Sequence, residues 1–206
     1  MHMSPRQFNL ALQHLKREPK MARLIRESRE KPVFTRSSDT FESLCKSIIY
    51  QQLSGKAAGT IHKRFLGMCK GVSHPTPRQV LKTSIAKFRT VGVSQQKASY
   101  LIDLAKKFID GTINPKNFGE MTDEAIRAHL VAVKGIGRWT ADMFLMFTLH
   151  RPDVLPTGDL GIQKAMKDVF KLRTLPSPEK MEKLAEPWRP YRTVACRYLW
   201  NSLDNA

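Results

Sequence analysis

The run VKGIGRWTADMF, residues 133–144, places Gly135 and Gly137 between an apolar helical stretch and a second one that restarts at Arg138. Glycine reaches positive φ without a steric penalty, so such a pair can turn backbone N–H groups toward one side of a bend. A helix starting directly behind adds N–H groups that lack an intrahelical partner, and the positive end of its dipole. Together these groups suit a phosphate held by main chain alone. Ile136 can plug the bend into a core, and Lys134 adds charge. A plain helix connector would use the same glycines, so the bend alone leaves both readings open.

Charge favours the anion grip. The 206 residues carry 35 Lys and Arg against 18 Asp and Glu, a formal net charge of +17. Such an excess fits a polyanion, from which clustered cations release counterions, better than a neutral metabolite. A membrane surface is the rival acidic partner. No apolar run approaches the ~20 residues of a spanning helix, and the first six residues, MHMSPR, lack the apolar core of a secretory signal. A polyanion inside the cell is therefore expected, with no membrane. Cys45, Cys69 and Cys196 are too scattered for a disulfide framework or zinc ribbon and are expected to be buried in a reducing compartment. The six histidines show no ligand spacing, so no side-chain metal site is expected.

The elements around this bend read as all-α, without an alternating strand pattern. Asp39, with Glu42 three residues on, resembles a capping box opening a helix whose face is Phe41, Leu44, Cys45, Ile48 and Ile49. Ser54 caps the next, with Ala57, Ala58, Ile61, Phe65 and Leu66 inward; Thr76-Pro77 opens another. Ser94 starts a longer helix bearing Ala98, Leu101, Ile102, Ala105, Phe108 and Ile109 inward and ending at Gly111. Further helices are predicted from Thr122 toward Val133, over 138–149, from Asp159 to Phe170, after Ser177-Pro178, and over 188–203. Residues 15–31, with seven basic and three acidic side chains, read as a solvated helix face or a DNA arm.

The bend, followed by VLPTGDLGIQKAM, resembles the helix-hairpin-helix-Gly/Pro-Asp superfamily of DNA glycosylases: a hairpin, a loop with Pro156 and Gly158, then Asp159. IIYQQLSGKAAGTI (48–61) and WRPYRTVACRYLW (188–200) narrow the resemblance to AlkA-type 3-methyladenine DNA glycosylases in a compact form without an N-terminal β domain, over about residues 40–203. The resemblance implies one glycosylase-like domain over 1–206, with helical lobes of 40–150 and of 1–39 plus 151–206 flanking a DNA-binding cleft. The expected reaction is base excision repair by hydrolysis of the N-glycosidic bond of flipped-out alkylated purines. The alternative is a non-catalytic homologue that binds abasic or damaged DNA.

Asp159 becomes the catalytic carboxylate by family position, a role compatible with capping the helix behind it. Trp139, Met143 and Trp200 stand where the family keeps base-pocket residues. Met143 replaces a tyrosine of some AlkA proteins, and Trp200 also reads as core. Relatives that nick the strand carry a lysine where this chain has Trp139, so no Schiff base is expected there. Three scattered cysteines cannot supply an iron–sulfur cluster. Leu53 is the implied wedge, although by itself it reads as a core residue. Gln51 or Gln52 would contact the opposite strand, and Ser54 or Lys56 a phosphate. Lys134, Gly135, Ile136, Gly137, Arg138 and Thr140 form the hairpin's DNA-binding set. No cofactor is expected beyond the family's option of a monovalent cation held by hairpin backbone carbonyls. The expected partner is double-stranded DNA with alkylated bases or abasic sites, bound by a monomer, in the nucleus if the host is eukaryotic and in the cytoplasm otherwise.

Overall fold

The computed structural model describes residues 4–33, 39–69 and 72–203. They are all-α: twelve α-helices and two single 3-10 turns, with no strand among the described residues. In chain order the helices are α1 (Pro5–Leu15), α2 (Pro19–Glu27), α3 (Thr40–Tyr50), α4 (Gly55–Leu66), α5 (Pro77–Lys82) and α6 (Ile85–Thr90). There follow α7 (Gln95–Ile109), α8 (Asp123–Val131), α9 (Arg138–Phe147), α10 (Leu160–Val169), α11 (Pro178–Ala185) and α12 (Arg192–Leu203).

Local chemistry starts most of them. Ser4, Ser54, Thr76, Ser84, Ser94, Thr122 and Ser177 each accept an N–H from the third residue on, a cap worth about 1 kcal/mol. Pro5, Pro19, Pro77 and Pro178 take the first helical position, where their missing N–H costs nothing. The last helix begins at Arg192, not 188, because Pro190 cannot donate to a helical turn; Glu186–Trp188 forms a 3-10 turn instead.

The chain divides into two compact units, one from Ser38–Phe144 and one from Met1–Ser37 with Leu145–Ala206. In the first, α7 packs against α3, α5 and α6, and Leu44, Ile48, Ile49, Leu101 and Leu104 are fully buried. The expected inward faces need correction. Ala57 is exposed in the first turn of α4, His62 farther along that helix is buried instead, and Ile109, the last residue of α7, is exposed. In the second unit, α12 packs against α1, α2 and α10. Cys45 and Cys196 are buried, whereas Cys69 is only half-buried; burial, with Glu42 and Asp39 nearby, pushes the Cys45 thiol well above its usual range.

Candidate nucleic-acid interface and active site

The hairpin joins α8 to α9 within the first unit. Val133 N–H donates to Leu130 O at 3.0 Å and Ile136 N–H to Val133 O at 3.1 Å, which closes the bend. Ile136 is 3% exposed and pins it to the core. Gly135 has φ +80 and its carbonyl accepts from Gln51 Nε2 at 2.8 Å. Gly137 is not in the positive-φ region, and a Cβ there would meet nothing within 4 Å. Residues 131–137 line an open concavity of about 510 Å³.

One expectation is corrected here. Successive N–H groups do not all face a ligand, because Lys134 N–H is taken by Asp103 Oδ2 of α7 at 2.9 Å. Ile136 N–H is spent on closing the bend, and Ala141 N–H in the first turn of α9 donates to Gly137 O at 3.0 Å. Arg138 is exposed beside Glu124 at 3.3 Å, and the Lys134 side chain is exposed too. Thr140, expected among the DNA contacts, is instead buried to 6% exposure in the first turn of α9. Arg127 of α8 pairs with Asp142 of α9 at 2.6 Å.

The loop between α3 and α4 is braced against this hairpin. Lys97 of α7 donates its ammonium to the carbonyls of Ile49 and Gln51, both at 2.7 Å; burial lowers its pKa. Gln51 spends its amide on Gly135, which makes it a brace, and of the two glutamines Gln52 is the exposed one, at φ +55. Leu53 is 40% exposed, so it is not a core residue. Ser54 caps α4, and Lys56 is exposed. Lys97→Met should remove two charge-assisted hydrogen bonds and destabilise the chain by about 1.5–3 kcal/mol. Urea unfolding will measure this, and an unchanged midpoint would mean the brace is idle.

In the second unit, the loop leading to Asp159 is fastened by the start of α12. Buried Arg192 pairs with Asp153 and Glu182, each at 2.7 Å, and donates to Asp153 O at 2.8 Å. Thr193 Oγ1 donates to Arg151 O at 2.6 Å and accepts from Val154 N–H at 3.0 Å. Asp159 then caps α10. Its Oδ1 accepts from Ile162 N–H at 2.8 Å and from the Trp200 indole N–H at 2.9 Å, and the residue is 9% exposed. A two-glycine hairpin before a helix start, then a Pro/Gly loop ending in an anchored aspartate, is the arrangement that a family model for HhH-GPD superfamily base excision DNA repair proteins matches over residues 45–190.

The chain belongs to this superfamily. It is 35% identical to a putative DNA-3-methyladenine glycosylase of Bacillus subtilis over 80% of its own length and 59% of that relative's, so it spans under two thirds of that protein. It is 34% identical to DNA-3-methyladenine glycosylase 1 of Schizosaccharomyces pombe, over 80% of this chain and 72% of the other. The solved structure of the Schizosaccharomyces pombe 3-methyladenine DNA glycosylase in complex with abasic DNA superposes with a TM-score of 0.81 at 31% identity, covering 94% of this chain and 96% of that one.

Within the HhH-GPD framework the aromatic positions divide. Trp139, second residue of α9, is 48% exposed, and Met143 one turn on is half-buried. Trp200 is half-buried and stacks on Phe147, with ring centroids 5.8 Å apart and planes at 29°. Sequence reasoning missed Phe147, Asp103, Lys97 and Gly161. Phe147 follows Trp139 and Met143 at a spacing of four, a signal that was available. Lys97 and Asp103 act through partners far away in the chain, and Gly161 through distant Trp200 as well as its near neighbour Asp159.

Proposed function

We propose that this protein is a monofunctional DNA glycosylase, hydrolysing the N-glycosidic bond of alkylated purines such as 3-methyladenine in duplex DNA and leaving an abasic site. The observation that carries the proposal is Asp159, whose carboxylate is anchored at the start of α10 by two donors to one oxygen. Departure of the base develops positive charge on the deoxyribose, as in other glycoside cleavage. A fixed carboxylate near that carbon stabilises the charge and orients or deprotonates the attacking water. The names of the Bacillus and Schizosaccharomyces relatives support the same substrate class.

An alkylated purine carries charge of its own and leaves readily, so little acid assistance is needed. Selection then falls to an electron-rich ring face, which exposed Trp139 can offer to a cationic base. Flipping that base costs a few kcal/mol of stacking and pairing; Leu53, on its braced loop, is the apolar side chain placed to fill the gap. The hairpin amides hold the backbone, Lys134 and Arg138 add charge, and the chain works as a monomer. No cofactor enters the reaction, and a monovalent cation at the hairpin carbonyls would serve only to anchor DNA. Trp139 at the nicking lysine's position removes the Schiff-base nucleophile there.

The test is incubation with methylated duplex DNA. Free methylated base should appear, with strand breaks only after alkaline treatment. Tight binding to an abasic duplex with no base released at generous protein concentration would replace the enzyme with a damage binder. Leu53→Ala should weaken lesion-duplex affinity by about tenfold, the worth of one buried apolar side chain of 1.5 kcal/mol. Unchanged affinity would remove the wedge.

A further inference from the structure

Trp200 stands at a family pocket position, yet its polar edge is engaged. The indole N–H and the Ile162 N–H both donate to Oδ1 of Asp159, at 2.9 and 2.8 Å. A carboxylate oxygen offers two in-plane lone pairs, so this oxygen is saturated and the carboxylate cannot swing about its bond without losing a donor. The indole is itself held in place. Phe147 stacks on it at 5.8 Å, and the Arg197 guanidinium lies 4.8 Å from the Phe147 ring centre.

Gly161 completes the arrangement. A Cβ there would lie 3.0 Å from Asp159 Oδ1 and 3.1 Å from both Cδ1 and Nε1 of Trp200. Both neighbours are tied to each other, so a side chain at 161 must displace them from this tight contact. We infer that Trp200 is a positioning residue, fixing the Asp159 carboxylate through its indole N–H, and that Gly161 is the gap that admits the indole. The inference rests on the catalytic reading of Asp159. It separates Trp200 from Trp139: the first aims the acid, and the second offers a ring face to the base.

Two measurements test it. In single-turnover excision at saturating enzyme, Trp200→Phe keeps an aromatic ring but loses the donor; the rate should fall by about a hundredfold, the cost of a small misplacement. Affinity for an abasic duplex should stay unchanged. Gly161→Ala should fall similarly, and the double variant should lose no more than either single one. A Trp200→Phe enzyme at the wild-type rate, or additive losses, overturns the inference.

The second measurement is independent of activity. The indole N–H of Trp200, identified in an NMR spectrum as the signal missing from Trp200→Phe, should exchange slowly in the wild-type protein. It should exchange faster in Asp159→Ala and in Gly161→Ala, each checked for an intact fold by its thermal transition. An exchange rate indifferent to both changes sinks the inference. If wild-type protein released no base, the catalytic reading would fail by itself, while indole exchange would still decide whether the contact positions the carboxylate.

Discussion

Asp159→Asn is expected to abolish release of methylated base while leaving the fold and the affinity for an abasic duplex intact. Asparagine matches the carboxylate in shape, and its carbonyl oxygen can accept from the Ile162 amide and the Trp200 indole as Oδ1 does. The cap on α10 is therefore kept; even its complete loss would cost only ~0.5–2 kcal/mol. What disappears is the negative charge available to the cationic sugar and the base available to water. Removing one such electrostatic stabiliser costs on the order of 10²–10³ in rate, and here both roles go together, so about 10³-fold is the least expected. Quantifying free base in single turnover, beside a thermal transition and an abasic-duplex titration, separates chemistry from stability. Near wild-type excision by this variant would remove Asp159 from the mechanism.

Gly135→Ala should produce the second large effect, on the fold and on DNA binding together. At φ +80 an alanine costs ~1–2 kcal/mol. Its Cβ would also run into the Tyr100 ring, and forcing a packed side chain aside adds ~1–3 kcal/mol. The transition temperature should fall by on the order of 10 °C. Affinity for duplex DNA should fall too, because the Gln51 and Asp103 tethers to the hairpin shift. Gly137→Ala is the contrast. Its φ is ordinary and its Cβ points into open space, so stability should hold. If a phosphate packs against that bend, affinity should still drop, because the methyl occupies the approach. A Gly137→Ala protein binding DNA like wild type would move the backbone contact away from the hairpin amides.

The pair also shows how far the chain could be read before folding. Both glycines were visible as a bend, but only Gly135 needs positive φ. Of the two, only Gly135 would also bring a side chain against a neighbour, the ring of Tyr100 thirty-five residues earlier. In sequence Lys134 reads as a side-chain cation beside the bend, while in the structure its amide is spent on Asp103. Thr140 belongs to the DNA-binding set by resemblance, but in the structure it is buried. Leu53 by itself reads as a core residue and becomes a wedge only by resemblance, and Gln51 and Gln52 are interchangeable in sequence. Folding decides both: Lys97 holds the carbonyls of Ile49 and Gln51, Leu53 is exposed, and Gln51 donates to Gly135 O.

By itself, the sequence determined the helical class, most helix starts, the site of the hairpin and the strongly cationic balance of the chain. Each of these depends on composition or on neighbours three or four residues apart: a serine and the amide it caps, a proline in a first turn, a glycine in a bend. Tertiary structure alone decided that Asp103 takes the Lys134 amide, which glutamine braces the wedge loop, and that Trp200 grips Asp159 across forty-one residues. Those choices are made when distant groups compete for the same donor or the same space, and nothing within a single turn of chain records the outcome.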